Sequence, residues 1–300
     1  MPKFDVTLLT STNYLTAEPG DEFIENILEE DRLLNSALEK RGLRVTRTYW
    51  DNPEFNWAET KYVLIRTPWD YFNRYDEFEP WLKNACKVTK FINPIEIIYW
   101  NIDKHYMLDL EKAGINIPPT VFIEPGDKRS LKEITAGLTW DELILKPAIS
   151  GGAWHTYRLN RSNLAEHEEV FAELIKDKSM LVQEYQKTIL SEGEVSYMVI
   201  GGKFTHAILK KGKQDDFRVQ ESFGGTIHEY TPSEEEIEFA QNVVRVSKPG
   251  IIYARVDVMR DNNGKLTLGE LEVFEPALWL RKYPPAADLL AQKISDIIES

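Results

Sequence analysis

The sequence predicts an α/β (α+β) chain of three units: an N-terminal parallel α/β layer, a small central β-rich unit and a C-terminal mixed sheet. Three observations carry that expectation. Short apolar runs alternate with helix-period segments through the first third of the chain, as in a strand–helix–strand parallel layer. In the middle, two apolar runs are joined by a glycine-bearing connection too long for a tight turn. From Gly193 onward, hairpin and turn signals separate the apolar runs.

In chain order, residues 5–9 read as a strand. Phe23, Ile27, Leu34 and Leu38 share one face of a helix that Gly42 ends, and residues 44–49 and 62–66 are further strands. The first strand runs into Thr10-Ser11-Thr12-Asn13-Tyr14, so the glycine fingerprint of a dinucleotide fold is missing. The spacing then predicts one helix over 99–112, stopped by Gly114 and Pro118-Pro119, and a strand over 120–123. Strands over 143–146 and 157–159 flank the Pro147-to-Thr156 loop, followed by a helix over 163–176 and a strand over 180–184. Residues 195–200 and 203–210 flank Gly201-Gly202, a hairpin signal, and Ser233 with Glu236 forms a capping box for a helix running to Pro249-Gly250. Strands over 251–259 and 265–273 flank Asp261-Asn262-Asn263-Gly264, and a last helix carries Leu289, Leu290, Ile294, Ile297 and Ile298. The expected division is 1–98 as a substrate-side domain, 99–183 as a central lid and 184–300 as a C-terminal subdomain.

Composition narrows the function classes. With 42% hydrophobic and 28% charged residues over 300 positions, the chain has the makeup of an ordinary globular protein. No apolar run approaches the ~20 residues that span a bilayer, and the opening residues lack a secretory-signal layout, so a cytoplasmic protein is expected. The single cysteine, Cys86, cannot form an internal disulfide. A formal net charge of −13 disfavours nucleic acid and anionic lipid as partners. The oligomeric state, homodimer included, is left open. An anionic ligand would need a local pocket of cations and backbone N–H groups.

The candidate chemistry starts from three carboxylates. Asp257 lies late in one strand, and Glu270 and Glu272 lie two apart in the next, so both glutamates share a face while Leu271 and Val273 share the other. Carboxylates gathered this way repel unless a cation neutralises them, and hard divalent ions prefer such oxygen ligands. On spacing alone, a solvated face paired with Lys265 or Arg255 is the plainer reading. Lys146 ends an apolar strand beside the Ser150-Gly151-Gly152 loop, whose flexible N–H groups suit a triphosphate; a snorkelling strand-end lysine fits equally. Gln183, Glu184 and Tyr185 leave another apolar strand and could present backbone groups to a purine edge, and Glu194 could accept from ribose hydroxyls.

Taken together, Lys104 in Asn101-Ile102-Asp103-Lys104, Lys146-Pro147, Ser150-Gly151-Gly152, Gln183-Glu184-Tyr185, Glu194, Arg255-Val256-Asp257 and Glu270-Leu271-Glu272 occur in the order seen in ATP-grasp ligases. Residues 253–259 resemble the corresponding strand of D-alanine–D-alanine ligase, and Gly193-Glu194 with Gly201-Gly202 resembles glutathione synthetase. Tyr49 to Pro53, Ile65 to Tyr71, Asn93-Pro94, Trp100 to Lys104, Asp216 to Gln220 and Glu275-Pro276 resemble the O-ureidoserine cyclo-ligase (D-cycloserine biosynthesis) subfamily. That resemblance implies the ATP-grasp fold and a ligase using ATP and Mg2+, with Mn2+ as a substitute, on a small amino-acid-like substrate. It implies Lys104 and Lys146 on ATP phosphates, closure of residues 150–154 over them, Gln183 to Tyr185 at adenine and Glu194 at ribose. Asp257, Glu270 and Glu272 would hold the metal, and Arg255 would lie near the transferred phosphoryl group, with Lys210 and Arg218 in γ-phosphate or substrate contacts. Many relatives have asparagine where this chain has Glu272, which adds a negative charge to the metal site.

For the acceptor substrate, Arg66, Trp69 and Asp70 follow a parallel strand, where α/β sheets bind ligands. Arg66 and Arg218 would clamp a carboxylate; alternatively Trp69 and Tyr71 are core and Arg66 pairs with Asp70. A non-catalytic ATP-binding module is the rival function. His105, His155, His167, His206 and His228 lack paired zinc-ligand spacing.

Overall fold

The computed structural model describes residues 2–214 and 216–299. Consecutive strands build each of three sheets. The first is parallel, in the order β2-β1-β3-β4, from β1 (Phe4–Thr10), β2 (Val45–Tyr49), β3 (Thr60–Thr67) and β4 (Lys90–Ile92). Helices α1 (Glu22–Glu39) and α2 (Tyr75–Ala85) connect them, and Gly42, at φ +77°, lies just beyond α1. Neither α2, which contains Pro80, nor the three-residue β4 is expected from the periodicity.

The helix expected over 99–112 is two helices, α3 (Ile95–Ile102) and α4 (Tyr106–Lys112). The break has a local cause. Asp103 adopts extended backbone and its carboxylate accepts from the His105 N–H at 3.0 Å, while the Lys104 N–H donates across to Ala148 O at 3.0 Å. Lys104 is thereby lifted out of a helix, and its Nζ lies 3.1 Å from Glu270 of the third sheet.

The second sheet is antiparallel, β5-β8-β6-β7, from β5 (Thr120–Ile123), β6 (Glu142–Pro147), β7 (Tyr157–Asn160) and β8 (Met180–Glu184). Short helices α5 (Leu131–Thr135) and α6 (Glu168–Leu174) cover its core of Ile123, Leu145, Leu159, Phe171 and Val182. The helix expected over 163–176 is a 3-10 turn, Leu164–His167, leading into α6.

After the one-turn α7 (Thr188–Ser191), the third sheet runs β11-β10-β9-β12-β13, all antiparallel. Its strands are β9 (Glu194–Ile200), β10 (Lys203–Lys211), β11 (Thr226–Tyr230), β12 (Tyr253–Arg260) and β13 (Leu266–Glu272). Gly201 and Gly202, at φ +58° and +74°, make the β9–β10 turn with the left-handed backbone such hairpins require. Ser233 and Glu236 form the expected reciprocal capping box on α8 (Glu234–Val246). The chain ends in α9 (Pro285–Glu299), whose Leu290 and Ile294 pack with Leu34 and Leu38 of α1 and with Met198 and Ile200 of β9.

Strand alternation divides the third sheet. Val195, Tyr197, Val199, Ala254, Val256, Leu271 and Val273 bury against Ile97, Tyr106, Leu110 and Val243, so α3, α4 and α8 cover one face. On the opposite face, Met198, Ile200, Ile208 and Tyr253 pack toward the N-terminal layer at one end. The other end of that face is polar. Among the described residues no helix is long and apolar enough to cross a membrane.

Candidate active site

The polar end of the third sheet collects seven side chains by register. Lys210 lies opposite Glu194 on β10 and β9, Asp257 lies opposite both Ser196 and Glu270, and Arg255 lies opposite Glu272. Directly opposed residues on one face are the closest neighbours a sheet offers. Asp257, Glu270 and Glu272 each bring a carboxylate oxygen within 4.8 Å of the other two. This all-oxygen donor set fits magnesium or another hard divalent ion.

The carboxylates face their own counter-charges. Arg255 donates from Nε and Nη2 to Asp257 at 2.9–3.1 Å and reaches Glu272 with the same Nη2. Arg255 opposes, but does not outweigh, the burial and the neighbouring acids that push the Glu272 carboxyl well above the usual carboxylate value. Lys210 Nζ lies 2.5 Å from Glu194 and 3.2 Å from Asp257, and Ser196 donates to Asp257 at 2.5 Å. Burial pushes the Asp257 carboxyl up, but Arg255, Lys210 and the Ser196 hydroxyl outweigh it and hold the group at about 2. Burial likewise opposes the charge on Lys210, yet Asp257 and Glu194 raise its pKa above the usual lysine value.

The second sheet and the α3–α4 joint supply the opposite wall. Lys104 Nζ lies 3.1 Å from Glu270 and donates to Ser150 O at 2.7 Å, linking the glycine loop to the carboxylate cluster. Burial lowers the Lys146 ammonium below its usual value; Glu270 opposes this, while Lys104 adds to it. Lys146 has no ion-pair partner within 4 Å among the described residues. Two ammonium groups thus stand on the side of Glu270 away from the other carboxylates, an arrangement that suits a polyphosphate. In the glycine loop, a Cβ on Gly151 would fall 2.9 Å from the Phe72 ring, and Trp154 packs on that ring at 5.9 Å. The loop is therefore seated on the N-terminal layer, with Gly152 at φ +54°.

At the hinge, Gln183 Nε2 donates to Thr120 at 2.8 Å, the Glu184 N–H to Pro119 O at 2.9 Å and the Tyr185 N–H to Glu142 O at 3.1 Å. Tyr185 O accepts from Asn262 at 3.0 Å, and Arg158 lies 4.2 Å over the Tyr185 ring. The expected backbone donors at Glu184 and Tyr185 are already engaged within the protein.

The acceptor-side expectations require correction. Arg66 is 1% exposed and its guanidinium is committed to Asp31 at 3.2 Å, Glu30 at 3.6 Å and Pro276 O at 3.5 Å, so it is not free to clamp a substrate. It does not pair with Asp70 either: Asp70 accepts from Trp50 Nε1 at 2.9 Å and from Arg74 at 3.1 Å. Arg218 holds Asp216 through both carboxylate oxygens and stacks on Phe223 at 4.1 Å, sharing no partner with Arg66. Trp69 is half-buried, donates to Glu275 O at 3.0 Å and packs against Tyr14.

Several contributors have no role in the sequence reading. Asn93 donates to Tyr253 O at 2.9 Å and Val273 O at 2.8 Å and accepts from the Ile252 N–H, tying β12 to β13. Asn101 donates to Leu271 O at 2.8 Å and accepts from the Val273 N–H at 2.9 Å, fixing the backbone on both sides of Glu272. Trp279, left-handed at φ +44°, lays its ring 5.4 Å from Arg255 and 5.8 Å from Lys210. Asn93 and Asn101 do lie in stretches that carry the family resemblance; Trp279 has no sequence signal.

The chain belongs to the ATP-grasp family: residues 114–279 match the family model described as the prokaryotic glutathione synthetase ATP-grasp domain. Residues 6–93 match that of the N-terminal domain of D-cycloserine synthetase DcsG. The chain is 24% identical over 281 residues to "Cycloserine biosynthesis protein DcsG" of Streptomyces lavendulae, covering 88% of this chain and 92% of that protein. It is 28% identical over 181 residues to a "Probable alpha-L-glutamate ligase" of Marinomonas sp. (strain MWYL1), covering 60% and 58%. The crystal structure of D-cycloserine synthetase DcsG superposes with a TM-score of 0.84 at 22% identity over 98% and 99% of the two chains. D-alanyl-alanine synthetase A from Vibrio cholerae O1 biovar eltor gives 0.69 at 15% identity over both full chains. The fold is ATP-grasp and the protein is an ATP-grasp ligase.

Proposed function

We propose that the cleft binds ATP with magnesium, phosphorylates a carboxylate of a small amino-acid-like substrate and lets a nitrogen nucleophile capture the acyl phosphate. One observation carries this reading: Asp257, Glu270 and Glu272 converge on one side of the cleft, with Lys104 and Lys146 facing them from the other. Magnesium, when bound to those carboxylates, neutralises phosphate oxygens. Manganese suits the same donors.

Lys104 and Lys146 hold the phosphates, and the loop over 150–154 excludes water above them. Arg255 and Lys210 stabilise charge on the transferred group. The γ-phosphoryl P–O bond to ADP breaks as a bond to the substrate carboxylate oxygen forms. Nitrogen then bonds to the acyl carbon, phosphate departs with the C–O electron pair, and the nitrogen proton passes to solvent. When nitrogen and carboxylate belong to one molecule, the same step closes a ring. Gln183 to Tyr185 would border adenine through their side chains and remaining backbone groups, and Glu194 would reach the ribose side of the cleft. Within the proposed units, 1–98, 99–183 and 184–300, α3 and α4 pack on the third sheet, so the moving lid begins near β5.

The test is ADP and phosphate release from Mg-ATP with D-alanine, L-glutamate or O-ureido-D-serine, each with and without hydroxylamine as a nitrogen source. Substrate-stimulated release supports the ligase. Tight Mg-ATP binding with no stimulated release would instead make the protein a nucleotide-binding module.

A further inference from the structure

Glu275 is a fourth acid at this site, and its circumstances differ from those of the other three. It follows β13 in a bend and is 7% exposed. Trp69 holds its backbone by donating to Glu275 O at 3.0 Å. Burial raises its carboxyl group above the usual carboxylate value; Glu270 adds to this, and Arg255 and the Tyr71 hydroxyl act against it without outweighing it. That hydroxyl sits 3.8 Å from where a Cβ on Gly151 would be, under the glycine loop. Glu275 therefore borders the place where the phosphoryl group is delivered.

Asp257 and Glu270 have cations at 2.9–3.2 Å, and Glu272 has Arg255. Among the described residues no cation lies within 4 Å of Glu275, and it is not one of the three converging metal-site acids. A buried carboxylate without a cation is costly unless N–H or O–H donors surround it, and Tyr71 supplies one. Of the reacting groups, carboxylate and phosphate bring no hydrogen-bond donor to Glu275. The nitrogen nucleophile alone brings N–H donors.

We infer that Glu275 is the specificity residue for the nitrogen nucleophile, taking a hydrogen bond from an amine-type N–H and holding that nitrogen beside the acyl carbon, an assignment that rests on the ligase reading above. Tyr71 positions the carboxylate. Glu275 acts by binding, and the bonds made and broken are those already given.

The test compares wild type, Glu275→Gln and Glu275→Asp with Mg-ATP, the most active carboxylate of the panel above and hydroxylamine at varied concentration. The expected result for Glu275→Gln is a KM for hydroxylamine raised about tenfold or more, with kcat and Mg-ADP affinity within about threefold and Glu275→Asp intermediate. An unchanged KM for hydroxylamine in a turning-over variant overturns the assignment, as does an Mg-ADP affinity that falls in step with it. A wild-type protein that binds Mg-ADP but turns over no carboxylate overturns the ligase reading and this assignment together.

Discussion

Lys104 and Glu270 lie 3.1 Å apart across the cleft, although one comes from the break between two helices and the other from the edge strand of the third sheet. The contact joins the wall that would hold phosphate to the wall that would hold metal. A nucleotide entering here exchanges a lysine–glutamate pair for lysine–phosphate and metal–glutamate contacts, with little new ordering of either wall.

Lys104→Met removes one of the two ammonium groups. Since a charged hydrogen bond contributes roughly 1.5–3 kcal/mol, ATP binding should weaken about 10- to 100-fold by calorimetry, with the melting temperature nearly kept. Unchanged affinity would remove Lys104 from the phosphate site.

Gly151→Ala places a methyl group 2.9 Å from the Phe72 ring. Overpacking costs about 1–3 kcal/mol, so closed-loop turnover should fall about tenfold or more. Adding Phe72→Ala should restore part of it, because the two sites share one contact. Simple additivity in kcat would show that the loop does not seat on Phe72.

Arg66→Ala takes from Glu30 and Asp31 the buried cation they share, leaving Glu30 with Arg281 and Asp31 with Arg47. Losing charged hydrogen bonds in such a network costs about 1.5–3 kcal/mol, so urea unfolding should shift clearly. A variant with wild-type stability and a raised substrate KM would restore the clamp that the geometry argues against.

His206 gives the pH prediction. Burial lowers it from 6.5 to about 4, and its Nε2 lies 3.0 Å from Leu278 O in the segment leading to Trp279. The unfolded chain takes up a proton there near pH 6.5 while the folded one does not until about 4. Stability from this group is therefore full above pH 6.5 and declines as pH falls toward 4, by about 3 kcal/mol in total. In urea titrations at pH 7 and pH 4.5, His206→Gln should lose less stability on acidification than wild type. Equal losses would contradict a neutral, buried His206.

Much of this was legible in the sequence because strand period and register are local. The two-residue spacing of Glu270 and Glu272 put both on one face, and Leu271 and Val273 are buried on the other. Lys104 needed the family resemblance: helical periodicity runs straight through 99–112, and the break comes from one Asx-type turn and one long-range bond to Ala148. The Arg66 expectation failed because its partners, Glu30 and Asp31, lie on a helix whose buried face also carries Leu34 and Leu38, and charge on such a face has no periodic signature. Asn93, Asn101 and Glu275 act through contacts with distant strands or layers, which one chain read alone does not reveal.

The most direct measurement is a crystal structure with magnesium and a non-hydrolysable ATP analogue. Phosphate oxygens are expected within hydrogen-bond reach of Lys104 and Lys146 Nζ, with a metal ion on Asp257, Glu270 and Glu272. A nucleotide bound elsewhere, or in this cleft with the three carboxylates still paired only to Arg255, Lys210 and Lys104, would contradict that arrangement.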